Sequence, residues 1–196
     1  MKNASTRLKD FKIGCFHGKL SPEDGSIEAK LRNDLYLIGM LKMAVTRSES
    51  INIRLLAYEL PLQTGKQRGR CIDLLGYDQN KVPWIIELKK ADSNEKLNQV
   101  IEQILEYADL FRGVRDSIEH EIQTRYHWNE FRFSENTQKM ILAYRKFFQG
   151  TSPKNYKTLG VYCCSFSHVR DENEQGISLL EKFGSKGFVG LKIENR

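Results

Sequence analysis

Residues 70–90 read RCIDLLGYDQNKVPWIIELKK, and the fold turns on how they are parsed. Two apolar runs, CIDLLGYD at 71–78 and VPWIIELKK at 82–90, flank Gln79, Asn80 and Lys81, which favour a turn. The pattern predicts an antiparallel strand pair. Asp73 and Glu87 stand inside these apolar runs, where a buried charge without compensation costs several kcal/mol. Side chains alternate along a strand, so Glu87 and Lys89 project to one face, and Asp73 on the paired neighbour reaches that same face. Two carboxylates and an ammonium are expected to converge.

Upstream, apolar Ile27, Leu31, Leu35, Ile38 and Leu41 recur every three or four residues, which predicts a helix over about 26–47 with Glu28 in its first turn. Residues 51–62 read as a strand. The loop GKQRGR at 65–70 reads as a basic hairpin tip carrying Lys66, Arg68 and Arg70. Residues 1–26, interrupted by Gly14, Gly18, Pro22 and Gly25, form an irregular lead-in with one short ordered piece at 11–16. Downstream, Ser93 caps a helix over about 94–112, whose stripe runs from Leu97 through Val100, Ile101 and Ile104 and stops at Gly113. Residues 114–150 read as helical again, with a short strand at 140–144 as the alternative. A β-rich run at 159–166, a polar helix at about 171–183 and a strand at 188–193 complete the order.

Helices mixed with strands predict an α/β domain in which helices flank a central mixed sheet. With 196 residues the chain suits one core, expected over about 26–113 and 158–194, with 114–150 as a helical insertion. The hydrophobic fraction of 40% and charged fraction of 29% exclude wholesale disorder. Lys and Arg number 31 against 25 acids, a net charge of +6 that favours polyanionic partners. No stretch approaches the roughly 20 apolar residues of a membrane span, and the start lacks a signal-peptide core. Cys15, Cys71, Cys163 and Cys164 lack zinc-finger spacing, and adjacent Cys163 and Cys164 read as small core residues on opposite faces of a strand. A cytoplasmic protein is the expectation.

The chemistry follows from the acids. Hard oxygen ligands suit Mg²⁺ or Mn²⁺, which keep several waters and accept further ligands from a phosphate. Asp73 and Glu87 would hold the ion, the Leu88 carbonyl could add a ligand, and Lys89 would position or activate the attacking water and offset phosphate charge. The bland alternative is an edge-strand ion pair beside a turn-proximal acid.

RGRCIDLLGYD followed by WIIELKK resembles the signature of PD-(D/E)xK nucleases, especially the branched-DNA and mismatch endonucleases and their restriction-type relatives, which carry G-R-I-D-L-L and then E-L-K. Here the first half reads G-R-C-I-D-L-L, with one residue added before Ile72. The family often continues into a helix bearing Q-x-x-x-Y, matched by Gln103-Ile104-Leu105-Glu106-Tyr107. The resemblance covers best about 59–110 and implies a restriction-endonuclease-like core with catalytic Asp73, Glu87, Lys89 and Gln103. It also implies a further acid, for which Glu28 and Glu59 are rivals. Lys66, Arg68, Arg70 and Lys90 would grip the phosphate backbone. The implied function is metal-dependent hydrolysis of phosphodiester bonds, in DNA before RNA, with a homodimer or partner protein selecting substrate. The rivals are a non-catalytic nucleic-acid-binding or assembly module on the same fold, and an RNA-cleaving defence effector.

Overall fold

Strand and helix periodicities sort the chain into one curled sheet with a long helix laid across it. The computed structural model describes residues 31–32, 35–36, 39–44, 50–62, 71–90, 92–149, 160–166, 178–182 and 189–192. The elements are β1 (Met40–Ala44), β2 (Ser50–Pro61), β3 (Cys71–Tyr77), β4 (Pro83–Lys89), α1 (Leu97–Tyr126) and β5 (Gln138–Tyr144). A 3-10 turn (Arg145–Phe148), β6 (Val161–Phe166), β7 (Ser178–Lys182) and β8 (Val189–Lys192) follow. Strands pair in chain order, and β8 returns to β1. The β4–β5 and β5–β6 pairs are parallel and the others antiparallel, so the sheet is mixed as expected. The parallel β4–β5 connection needs a crossover, which α1 supplies.

The tight turn between β3 and β4 is built by Asp78. Its Oδ1 accepts the backbone N–H groups of Asn80 and Val82, and its Oδ2 accepts Trp84 Nε1–H at 3.2 Å. Lys81 completes the turn with φ 59.

Alternation along the central strands feeds two cores. Leu75, Ile85, Ile141 and Cys163 pack with Val100, Ile104, Phe111 and Ile118 of α1. Leu74, Trp84, Ile86, Leu88, Met140, Leu142 and Cys164 fill the opposite side with Leu31, Leu35 and Tyr36. Cys163 and Cys164 thus serve different faces, as their adjacency implies, and Trp84 is a core residue. Gly76 of β3 has room for nothing larger: an added Cβ would lie 2.7 Å from Ile53 Cγ2 and 2.9 Å from the Arg54 carbonyl.

Four expectations about the elements are corrected. The helix expected over 26–47 is helical at Leu31, Arg32, Leu35 and Tyr36, then ends at Gly39, whose φ of 76 suits glycine. Gly39 N–H donates to the Leu35 carbonyl, and the Gly39 carbonyl accepts from Leu55 N–H, tying helix to sheet. Leu41 and Met43, apolar at period two as well as near helical spacing, belong to β1. Second, the downstream helix begins at Leu97, not at Ser93. Ser93 Oγ accepts only from Glu95 N–H at 3.4 Å, while Gln99 Oε1 accepts the Lys96 N–H at the true start.

Third, that helix does not stop at Gly113. Ile118 and Ile122 continue its buried stripe, and it runs 30 residues to a left-handed cap at His127. The helical insertion expected over 114–150 is therefore the distal part of α1, a connecting segment and the central strand β5. Residues 131–134 of that connection return along the helix. Glu119 accepts Phe133 N–H, Gln123 donates to the Phe131 carbonyl, and Arg115 donates to the Ser134 carbonyl. Fourth, residues 178–182 form β7 where a polar helix was expected. The lead-in at 1–26, its piece at 11–16 and the tip at 65–70 lie outside the described residues.

Among the described residues, no helix is long and apolar enough to cross a membrane.

Candidate active site

The pairing registers bring three acids, an acidic rung, to one end of the β2–β3–β4 ladder. β3 and β4 pair from Tyr77–Pro83 to Leu74–Ile86, and Asp73 and Glu87 are the residues just beyond that last pair. β2 and β3 pair Tyr58 with Leu74 and Leu60 with Ile72, which sets Glu59 opposite Asp73. Like charges directly opposite one another across a ladder destabilise it, so cations are needed there. Arg32 Nη2 lies 2.7 Å from Glu59 Oε1, and its Nη1 lies 3.6 Å from Asp73 Oδ1. Lys89 Nζ lies 3.0 Å from Glu87 Oε1 and 2.6 Å from Glu95 Oε2. Glu59 itself sits in left-handed backbone, φ 47, beyond a bulge in β2 at Leu56.

Asp73, Glu87 and Lys89 share the α1 side of the sheet. Glu87 and Lys89 follow Ile85 of the α1-side core at period two and so share its face, and Leu88 N–H donates to Asp73 Oδ2 at 2.8 Å. Glu87 is 4% exposed, and its Oε2 is buried with no hydrogen-bond partner among the described residues. Burial first, then the Asp73 charge, push the Glu87 carboxyl up to about 8 against the pull of Lys89. Burial alone would lower the Lys89 ammonium, but Glu87 and Glu95 together hold it above the ordinary lysine range. Lys89 is a firmly charged donor beside a carboxyl group whose charged form lacks a full complement of positive charge.

Helix α1 closes the site from above. Gln103 Nε2 donates to Tyr107 Oη at 2.8 Å, and Tyr107 is buried. Its hydroxyl is raised by burial, lowered by the Gln103 hydrogen bond, and raised again by the charges of Glu87 and Asp73, so it lies within their electrostatic reach.

Of the residues singled out from sequence, Asp73, Glu87 and Lys89 are brought together, Gln103 joins them through Tyr107, and Glu59 joins through Arg32. Lys90 lies 3.8 Å from Asp92. Glu28, Lys66, Arg68 and Arg70 lie outside the described residues. The sequence reading does not single out Arg32 or Glu95. Arg32 meets an acid on β2 that is far off in the chain, and no local spacing signals such a contact. Glu95 carries a signal, an acid six residues before Ile101 in the lead to α1, but one shared by many solvated helix starts.

The donor set suits a hard cation in part. The described residues contain no group of three or more His, Cys, Asp or Glu side chains arranged to hold a metal. Asp73 and Glu87 supply two carboxylates, and the Glu87 Oε2 atom buried without a partner is the kind of oxygen that a cation would satisfy. Two carboxylates are enough for Mg²⁺, which retains waters and takes substrate oxygens. No protein-family model, curated protein or solved structure matches this chain.

Proposed function

We propose that the chain is a nuclease on a restriction-endonuclease-like core, hydrolysing phosphodiester bonds, in DNA before RNA, with Mg²⁺ or Mn²⁺. The observation that carries the reading is the buried, unpartnered Glu87 Oε2, with the Lys89 ammonium 3.0 Å from its sister atom and Asp73 held beside it by the Leu88 N–H. Asp73 and Glu87 would hold the cation, and the Leu88 carbonyl could add a ligand. The cation would supply charge neutralisation for the phosphate. Lys89, kept charged by its two acids, would orient the attacking water and offset the charge that develops on the phosphoryl oxygens. Gln103, braced by Tyr107, would hold that water in line. The net charge of +6 favours a polyanionic substrate. A homodimer or partner protein, in a cytoplasmic setting, would select among substrates.

The test is a panel of labelled linear, nicked and branched DNA and single-stranded RNA, incubated with Mg²⁺, Mn²⁺ or chelator. Cleavage should need the metal, and Lys89→Ala should lower it roughly 100-fold or more while the protein stays folded. Cleavage that survives both chelator and Lys89→Ala would remove the reading.

One observation favours a second reading, a binding or assembly module with structural use of the same residues. Arg32 and Lys89 already neutralise much of the acidic rung. Such a module would bind nucleic acid equally with and without metal and would cleave none of the panel.

A further inference from the structure

Far from the acids, at the other end of β3, cations and aromatic rings share a cleft. Strand rise puts Tyr77 roughly 13 Å from Asp73 along β3. The cleft, of about 520 Å³, is lined by Arg54, Tyr77, Lys81, Trp128, Glu130 and Phe131. A second hollow of about 300 Å³ shares Arg54, Tyr77 and Lys81 with it, so the three form a common ridge. The larger volume is of the size that takes a ligand as big as a nucleotide.

The lining chemistry is selective. Tyr77 and Phe131 meet edge to face at 5.3 Å, and half-buried Trp128 packs on Phe131 at 5.7 Å and lines the cleft. Lys81 Nζ stands over both rings of the first pair, 4.6 Å from Tyr77 and 5.1 Å from Phe131. Its position is fixed by left-handed backbone, φ 59, and by a hydrogen bond from Ser134 N–H to its carbonyl. The Lys81 ammonium and the exposed Arg54 guanidinium make no ion pair among the described residues. The nearest acid on the β3–β4 turn, Asp78, spends its oxygens on Asn80, Val82 and Trp84. Glu130, exposed on the rim, is the opposing charge. Exposed cations flanking an aromatic surface match a phosphate next to a planar base, the arrangement that binds single strands.

We propose that this cleft is a second nucleic-acid contact, holding one nucleotide of a single strand with its phosphate between Arg54 and Lys81 and its base on the Trp128 indole. It would grip strand away from the acids, and it requires no metal. Its fate is therefore separable from that of the nuclease reading.

Anisotropy of a fluorescein-labelled oligothymidylate, measured in chelator, tests it. The variants are Arg54→Gln with Lys81→Asn, asparagine being chosen because it tolerates left-handed backbone, and Trp128→Ala. Trp128→Ala should weaken binding roughly 5- to 150-fold, the range of one lost base stack. The double charge variant should weaken binding at least about tenfold and reduce the log–log salt slope by about 0.7, for one lost phosphate contact on a single strand. Glu130→Gln should tighten binding, and Lys146→Gln, a change at an exposed lysine elsewhere, should matter far less. Circular dichroism and melting curves confirm that each variant is folded. The proposal falls if folded Trp128→Ala and the charge pair bind as the parent does, if Lys146→Gln weakens binding equally, or if polyglutamate displaces the oligonucleotide as readily as unlabelled oligothymidylate does.

Discussion

Glu87 concentrates the tension of the candidate site in a single carboxyl. Its folded pKa of about 8 lies above the value of about 4.5 for the free side chain. Between those values the folded chain holds a proton that the unfolded chain has released. Stability therefore falls as pH rises through that window, by at most about 1.4 kcal/mol per pH unit. Denaturant titrations in chelator at several pH values should show this decline for the parent, and Glu87→Gln, which cannot titrate, should flatten it. A parent profile that rises with pH over the same window would show that the carboxyl is already ionised. Asp73 and Lys89 were legible from local sequence because period-two alternation is a strong constraint over seven residues. Arg32 was not, since its role depends on tertiary contact with two separate strands.

At the level of the elements, β2, β3 and β4 follow the sequence reading closely, because their apolar runs end at turn residues such as Asp78 and Asn80. The losses come where one pattern fits two periods. Leu35, Ile38 and Leu41 continue a helical stripe, yet Leu41 with Met43 also alternates, and burial in the second core decides for β1. Met140 to Tyr144 behaves likewise: buried on both faces from Met140 through Ala143, it carries no amphipathic signature and passes for helix. Gly113 misled for the opposite reason, as an exposed glycine that a long helix tolerates. Nothing lies within 4 Å of an added Cβ there, so Gly113→Ala should stabilise the protein by about 0.5–1 kcal/mol in denaturant melts. Gly76→Ala meets Ile53 and the Arg54 carbonyl and should instead cost roughly 1–3 kcal/mol. Equal effects at the two positions would contradict the packing described for β3.

For the molecule as a whole, the proposed cation would be coupled to folding. An ion that binds only the folded chain, at about 100 times its dissociation constant, stabilises by roughly 2.7 kcal/mol. For a chain of this size that is a rise in Tm of roughly 5–10 °C. Mn²⁺ should produce such a rise in the parent and little in Asp73→Asn, whereas a matching rise in both would place the ion elsewhere. The α/β class and the mixed sheet were readable from the alternation of helical and strand patterns. The closure of the sheet through β8 onto β1 was not, since no local pattern encodes which edges meet.

Helix α1 also outruns its support. Thirty residues span about 45 Å, against roughly 23 Å for the seven of β4, so its distal turns run well past the length of the strand it follows. The returning segment with Phe131 and Phe133 braces those distal turns, and the same brace furnishes one wall of the aromatic cleft. The length of a single crossover thus gives the protein a second surface on the far side from its acids.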